Sequence, residues 1–162
     1  MQFNGLILAL PKEIKLLIGS FLIVLSFGFF TGLLFVGETS ATNPNGIEEQ
    51  YLGNEGDADA QVMRFKKSGQ EMLTLVHNHM LSMSIIFFLV GILVSITQLG
   101  KKLKLFLIVE PFLSVILTFG GLYLLWSGVL WMKYIVMLSG VLMTLTYTIS
   151  VLIVFIQLFQ KR

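Results

Sequence analysis

The chain has 162 residues, of which 56% are hydrophobic and 12% charged, against roughly a quarter charged in soluble domains. A water-soluble globule of this length cannot cover so much apolar surface, and a mean hydropathy of +0.87 places the protein in a lipid bilayer. The net charge of +2 is too small to point to nucleic acid, and the absence of cysteine excludes disulfides, thiolate zinc, iron–sulfur clusters, cysteine nucleophiles and covalent c-type haem.

Phe3 to Leu10 is a short apolar piece ended by Pro11, expected to lie in the cytoplasmic interface. Pro11 suits the first turn of the helix that follows. The first uncharged run, Leu16 to Val36, predicts a span over about 14–36. It is too long for a signal-peptide core and has no small-x-small site before Glu38, so an uncleaved helix is expected. Within it Gly28 and Gly32 form a GxxxG, expected to pack against a neighbouring helix of the bundle.

A polar loop, 37–69, comes next. Asn43-Pro44-Asn45-Gly46 is a turn signal, Ile47 to Leu52 makes one or two helical turns, and Ser68-Gly69-Gln70-Glu71 is a capping box before an apolar run. The second span is expected over 70–98. At about 45 Å it exceeds the hydrocarbon core, so its outer end projects or tilts. Its residues Ser84, Gly91 and Ser95 share one face. After the basic stretch of Lys101, Lys102 and Lys104, a third span is expected over 105–129, where Gly120-Gly121 either packs closely or loosens the helix. The fourth, 133–158, forms an antiparallel hairpin with the third around Lys133. The expected fold is therefore all-α: an integral membrane four-helix bundle with one long external loop, a single membrane domain over 1–162.

Lys and Arg distribution sets the orientation. Lys12, Lys15, Lys101, Lys102, Lys104, Lys161 and Arg162 collect on one side, and Arg64, Lys66, Lys67 and Lys133 on the other. Both termini are expected to be cytoplasmic and the long loop external.

Ionisable groups inside a span are costly and mark candidate sites. The only two histidines, His77 and His79, lie roughly 13–17 Å along the second helix from Ser68, in the outer leaflet. Two residues apart on a helix they point about 200° from each other, so they cannot share one metal unless the helix unwinds. His79 shares a stripe with Met72 and Met83, and His77 with Leu73 and Ser84. A bis-histidine haem within one protomer is excluded. Histidine–methionine ligation, or a haem shared across a dimer axis, survives. Six of the eight methionines (Met63, Met72, Met80, Met83, Met132, Met137) fall on the outer side, and thioether with imidazole suits copper or a haem axial pair. His77, His79, Met80 and Met83 are thus the candidate haem b or copper ligands, against a structural reading in which the histidines cap, snorkel or bond neighbouring helices and the methionines pack.

Glu110 is the other intramembrane charge, ahead of Pro111 and expected near the cytoplasmic end of its span. It reads either as a proton-relay or ion-site carboxylate beside carbonyls freed by the proline, or as a carboxylate reaching water or Lys104. The acidic run Asn54-Glu55-Gly56-Asp57-Ala58-Asp59 lacks the spacing of a calcium loop. No nucleotide-binding, hydrolase or metalloprotease motif is present.

Gly46-Ile47-Glu48-Glu49-Gln50-Tyr51-Leu52-Gly53-Asn54-Glu55, then Phe65-Lys66-Lys67-Ser68 and His77-x-His79, resemble an uncharacterised family of small bacterial inner-membrane proteins. The resemblance covers most of residues 16–118 and implies no activity. It does imply that the G-I-E-E-x-Y-x-G segment and the histidine pair form one external feature, with the loop folded over His77 and His79. The functional expectation is a non-catalytic accessory or assembly component that binds haem b or copper. The alternatives are a redox or proton-relay subunit of a larger membrane complex and a purely structural scaffold. The partners expected are the bilayer and a membrane-protein complex or second copy.

Overall fold

With no water in the hydrocarbon region, each apolar run must satisfy its own backbone groups, and it does so by winding into one long helix. A computed structural model describes residues 3–40, 43–56 and 62–160. A 3₁₀ turn, Leu6–Ala9, precedes α1 (Lys12–Ser40), α2 (Pro44–Leu52), α3 (Gly69–Ser95), α4 (Lys101–Val115), a π-helical turn (Ile116–Gly120), α5 (Gly121–Trp126) and α6 (Met132–Phe159). Among the described residues there is no strand, as the sequence predicts. Four stretches are long and apolar enough to cross a bilayer: Lys12–Thr39, Gly69–Ser95, Lys101–Trp126 and Met132–Phe159. The protein is a multi-pass membrane protein whose outward residues, such as Val24, Phe27, Phe88 and Ile156, contact lipid.

Helices α3, α4–α5 and α6 pack against one another, while α1 packs on α6 and α2. The α1 contact is a single stripe. A Cβ on Gly19 would stand 3.0 Å from Phe159 Cζ, and Leu22 is wholly buried. Ser26 Oγ meets the Tyr147 hydroxyl at 3.3 Å, and Phe29 stacks on the Tyr147 ring at 3.8 Å. Gly28 and Gly32 fall outside this stripe and face open space, so the GxxxG expected to pack inside the bundle meets no other helix among the described residues. Gly91 is buried in α3 facing Ile108, whose Cγ2 would make an ordinary contact at 4.0 Å with an added Cβ.

The third span is irregular for two chemical reasons. Pro111 sits inside α4 and has no N–H to give Leu107's carbonyl. The π turn follows, and its wider winding re-aims the side chains beyond it. Gly120 and Gly121 then do both things the sequence allows. A Cβ on Gly120 would lie 3.6 Å from Met80 Cε, and one on Gly121 would lie 2.9 Å from Val136 Cγ2, so α5 lies close against α3 and α6. One turn earlier, Thr118 Oγ1 and Ser139 Oγ form a buried 2.7 Å hydrogen bond between α4's extension and α6.

Where Phe3–Leu10 meets the last turns of α6, the segment docks on the bundle while Phe3 and Leu6 stay exposed. It plugs the bundle: Ile7 is fully buried, its N–H donates to Ile96 O at 3.2 Å, and Gly5 N–H donates to Thr97 O at 3.3 Å. The reason is the exposed carbonyl end of α3, which needs donors. Lys104 supplies more, its ammonium donating to Thr97 O at 2.6 Å, Ser95 O at 2.9 Å and Asn4 Oδ1 at 2.8 Å. A cation at a helix C-terminus is favoured by the macrodipole as well.

At the opposite end the loop forms a lobe. Asn43 Oδ1 caps α2 by accepting Gly46 N–H at 2.8 Å. Glu48 pairs with Lys133 at 2.6 Å, and Gln50 Oε1 accepts from Arg64 at 2.8 Å. Gly53 ends the helix at φ +84, and a Cβ there would fall 2.8 Å from Lys66 N and 2.9 Å from Arg64 O. Asn54 then clasps the returning chain, accepting Arg64 N–H at 2.7 Å and donating to Val62 O at 2.9 Å. Residues Asp57 and Asp59 of the acidic run lie outside the described residues.

Two consequences are testable. Gly53→Ala combines a left-handed backbone with a backbone clash and is expected to destabilise the lobe by about 2 kcal/mol, read as roughly 30-fold faster proteolysis of the return segment. Gly56→Ala, with open space around it, leaves proteolysis unchanged. Burial also raises the Tyr51 phenol above its ordinary range near 10. The unfolded lobe then loses this proton first, so lobe stability is complete below about pH 10 and falls as pH rises through the folded value. Tyrosinate absorbance followed together with proteolysis checks this.

Candidate functional site

The α3 helix begins at the capping box read from the sequence: Ser68 N–H donates to Glu71 Oε2 at 2.7 Å, and Glu71 N–H to Ser68 Oγ at 3.3 Å. Fixing the helix start fixes which way each later side chain points. Met72, one turn on, is wholly buried, so the stripe it begins runs along the edge of the core. His79 lies on that edge and is exposed.

His79 is nonetheless held in place. Its Nδ1 lies 2.8 Å from Leu75 O, and because a carbonyl only accepts, Nδ1 must carry the hydrogen. In the neutral ring Nε2 is left with its lone pair. The imidazole also stacks on Phe119 at 4.8 Å with 29° between the planes. Phe119 belongs to the π turn, so the irregularity of the third span delivers the ring that supports the histidine.

The other three candidates do not converge on Nε2. His77 is exposed, two residues from His79 and therefore on another side of α3, and it makes no hydrogen bond among the described residues. Met80 is half-buried with its methyl against Gly120, and Met83 packs against the hydrophobic core. Among the described residues no three His, Asp or Glu side chains come close enough together to hold a metal ion.

A groove of about 460 Å³ lies beside His79, lined by Lys67, Ser68, Gln70, Glu71, Thr74 and Asn78 among others. Its rim is the return segment at Lys67–Ser68. Helix α2 packs instead on α1, α5 and α6, so the G-I-E-E-x-Y-x-G segment caps the hairpin end around Lys133. The return segment is pinned to the bundle by Trp126, whose Nε1–H donates to Lys67 O at 2.7 Å and whose ring carries the Lys66 ammonium at 5.2 Å.

Glu110 sits in the same span as Phe119 but nine residues earlier, about 13 Å along the helix. The carboxylate and the imidazole are separate sites. Ser114 donates its hydroxyl to Glu110 Oε1. Glu110 Oε2 is shielded and has no hydrogen-bond partner among the described residues. Lys104 is committed to α3's carbonyls and Asn4, so it does not supply the counter-charge that the sequence offered. The one ion pair among the described residues is Lys133–Glu48.

Sequence reasoning missed Phe119, Trp126 and Ser150. An aromatic at 119 looks like any lipid-facing residue until the π turn is known, and Ser150 is one of several hydroxyls in the last span. Trp126 did leave a signal, as an indole at the expected outer boundary of its span.

Trp126→Phe keeps the ring and removes one hydrogen bond. The expected cost is about 1 kcal/mol, seen as roughly fivefold faster tryptic cleavage at Lys66 or Lys67, with the helices unaffected by circular dichroism.

Residues 41–162 match the family described as Aq_1264_TM, a transmembrane helical domain, and the chain belongs to that family. The match contains α2 through α6 and both sites described above. No curated protein matches the chain, and no solved structure does.

Proposed function

We propose that this member of the transmembrane helical domain family is a non-catalytic accessory or assembly component of the bacterial inner membrane that takes haem b in the groove at His79. The lobe is external and both termini are cytoplasmic, an orientation supported by the concentration of Lys12, Lys15, Lys101, Lys102 and Lys104 at the terminal end.

One observation carries the ligand reading. Nδ1–H of His79 is bonded to Leu75 O, which orients the ring, raises the basicity of Nε2 and leaves it as the donor, the second-sphere arrangement of ligating histidines. Haem fits this site better than copper does. A porphyrin brings four of the iron's ligands and asks the protein for an axial one, whereas copper needs several protein donors. Met83, one turn beyond His79, is the second candidate donor for copper. His77 and Met80 would join only if α3 unwound. When bound, the haem would supply one-electron chemistry; the chain's own residues hold and orient it, with Lys67 at the groove rim offering a cation to its carboxylates.

The competing scaffold reading has its own support, since Glu48, Gln50, Tyr51 and Gly53 of the loop segment are all consumed by contacts that build the lobe. A role as a redox or proton-relay subunit of a larger complex would draw instead on Glu110.

Protein purified in mild detergent, as isolated and after haemin addition, separates these readings by visible absorption and metal analysis. Near-stoichiometric iron with a haem spectrum is expected in the wild type and His77→Ala, with at least a tenfold loss of haem affinity in His79→Ala. Copper lost on Met83→Leu selects the copper form of the site. Folded wild type that holds no metal and takes up no haemin overturns the ligand reading in favour of the scaffold.

A further inference from the structure

Glu110 Oε2 and Ser150 Oγ are buried without hydrogen-bond partners among the described residues. They lie on facing helices, and the Thr118–Ser139 bond sets the register between them. Leu107 is eleven residues before Thr118, and Ser150 is eleven residues after Ser139. In antiparallel helices both therefore stand about 16 Å from that bond, toward the terminal end. Leu107, Pro111, Ser114 and Thr118 are buried along α4 and the π turn, and Ser139, Met143, Thr146 and Ser150 along α6, so Leu107 stays on Thr118's buried side and Ser150 on Ser139's. Both residues are buried. Leu107's carbonyl has no N–H from Pro111, and Glu110, one turn further on, leans its side chain back toward Leu107's level.

By this register a carboxylate, a hydroxyl and a carbonyl released by proline belong to the same turn of the packed α4–α6 pair. Among the described residues no cation pairs with the carboxylate. Residues 84–95 of α3 carry no titratable side chain, and α6 from 134 to 160 has only Tyr134 and Tyr147. The Tyr147 hydroxyl is turned to Ser26, and Lys104 is occupied at the helix end. A carboxylate inside a span without a counter-charge is a default candidate for an ion or proton site.

We propose that Glu110, Ser150 and the Leu107 carbonyl bind a small monovalent cation of sodium size within the span. Hard oxygen donors suit such an ion, and carbonyls freed at helix breaks hold sodium in membrane proteins. One carboxylate balances one charge; a divalent ion would leave a net positive charge in the bilayer. This site is independent of the groove at His79.

The test is thermal unfolding of the full chain in detergent, with sodium chloride titrated against choline chloride at constant ionic strength. The wild type gains Tm with sodium in a saturable way, as a ligand bound to the folded state requires, and Glu110→Gln does not respond. Ser150→Ala, which removes only an unpaired hydroxyl and keeps the fold, needs at least tenfold more sodium for half the effect. Labelling of Glu110 by a hydrophobic carbodiimide is suppressed by sodium and unaffected by choline. A wild type that does not respond to sodium overturns the assignment, as does an unchanged response in Ser150→Ala. Labelling that sodium leaves untouched also overturns it, by showing that a proton occupies the carboxylate instead.

Discussion

A backbone inside a bilayer has no water to fall back on, so a helix end or break there calls for a donor or acceptor from elsewhere in the chain. The carbonyl end of α3 shows the constraint at its strongest. Gly5, Ile7 and Lys104 all donate to it, and Asn4 joins Lys104 to the Leu99 N–H. One helix terminus thereby recruits both the N-terminal segment and the first turn of α4, and it draws Ile7 into the core. The same obligation acts at Pro111, which has no N–H to give the Leu107 carbonyl.

The regular part of this architecture was legible from charge-free runs and capping residues. The capping box at Ser68–Glu71 is present with both of its reciprocal bonds, because it depends only on local spacing. The readings that failed depended on which face of a helix meets which neighbour. GxxxG in α1 looks the same whether it meets a helix or lipid, and α1 uses the stripe of Gly19, Leu22, Ser26 and Phe29 instead. The docking of Phe3–Leu10 was hidden in the same way, since nothing local reveals that Ile7 answers a helix end nearly ninety residues away. Lys104 was an obvious partner for Glu110 by sequence distance, yet the carbonyls of α3 claim it.

The candidate site was legible in the same partial way. His79 was identifiable as a costly polar group in a span, but its supporting ring comes from a π turn that no residue pattern announced. Glu110 stood out as a charge, whereas Ser150 acquires meaning only from the α4–α6 register. Chemistry-bearing residues are readable in one dimension; their partners across the bundle are set by rotation about helix axes, and a single extra residue per turn changes that rotation.

The stripe that holds α1 has a consequence for how the molecule is made. The partner of Ser26 is Tyr147, 121 residues further along the chain. At synthesis rates of roughly 5–20 residues per second, α1 waits several seconds or more before its docking surface exists. The Ile7 plug is delayed too, since the carbonyls it answers are those of Ile96 and Thr97. α1 and the Ile7 turn therefore find their places late, after α6 has followed them into the bilayer.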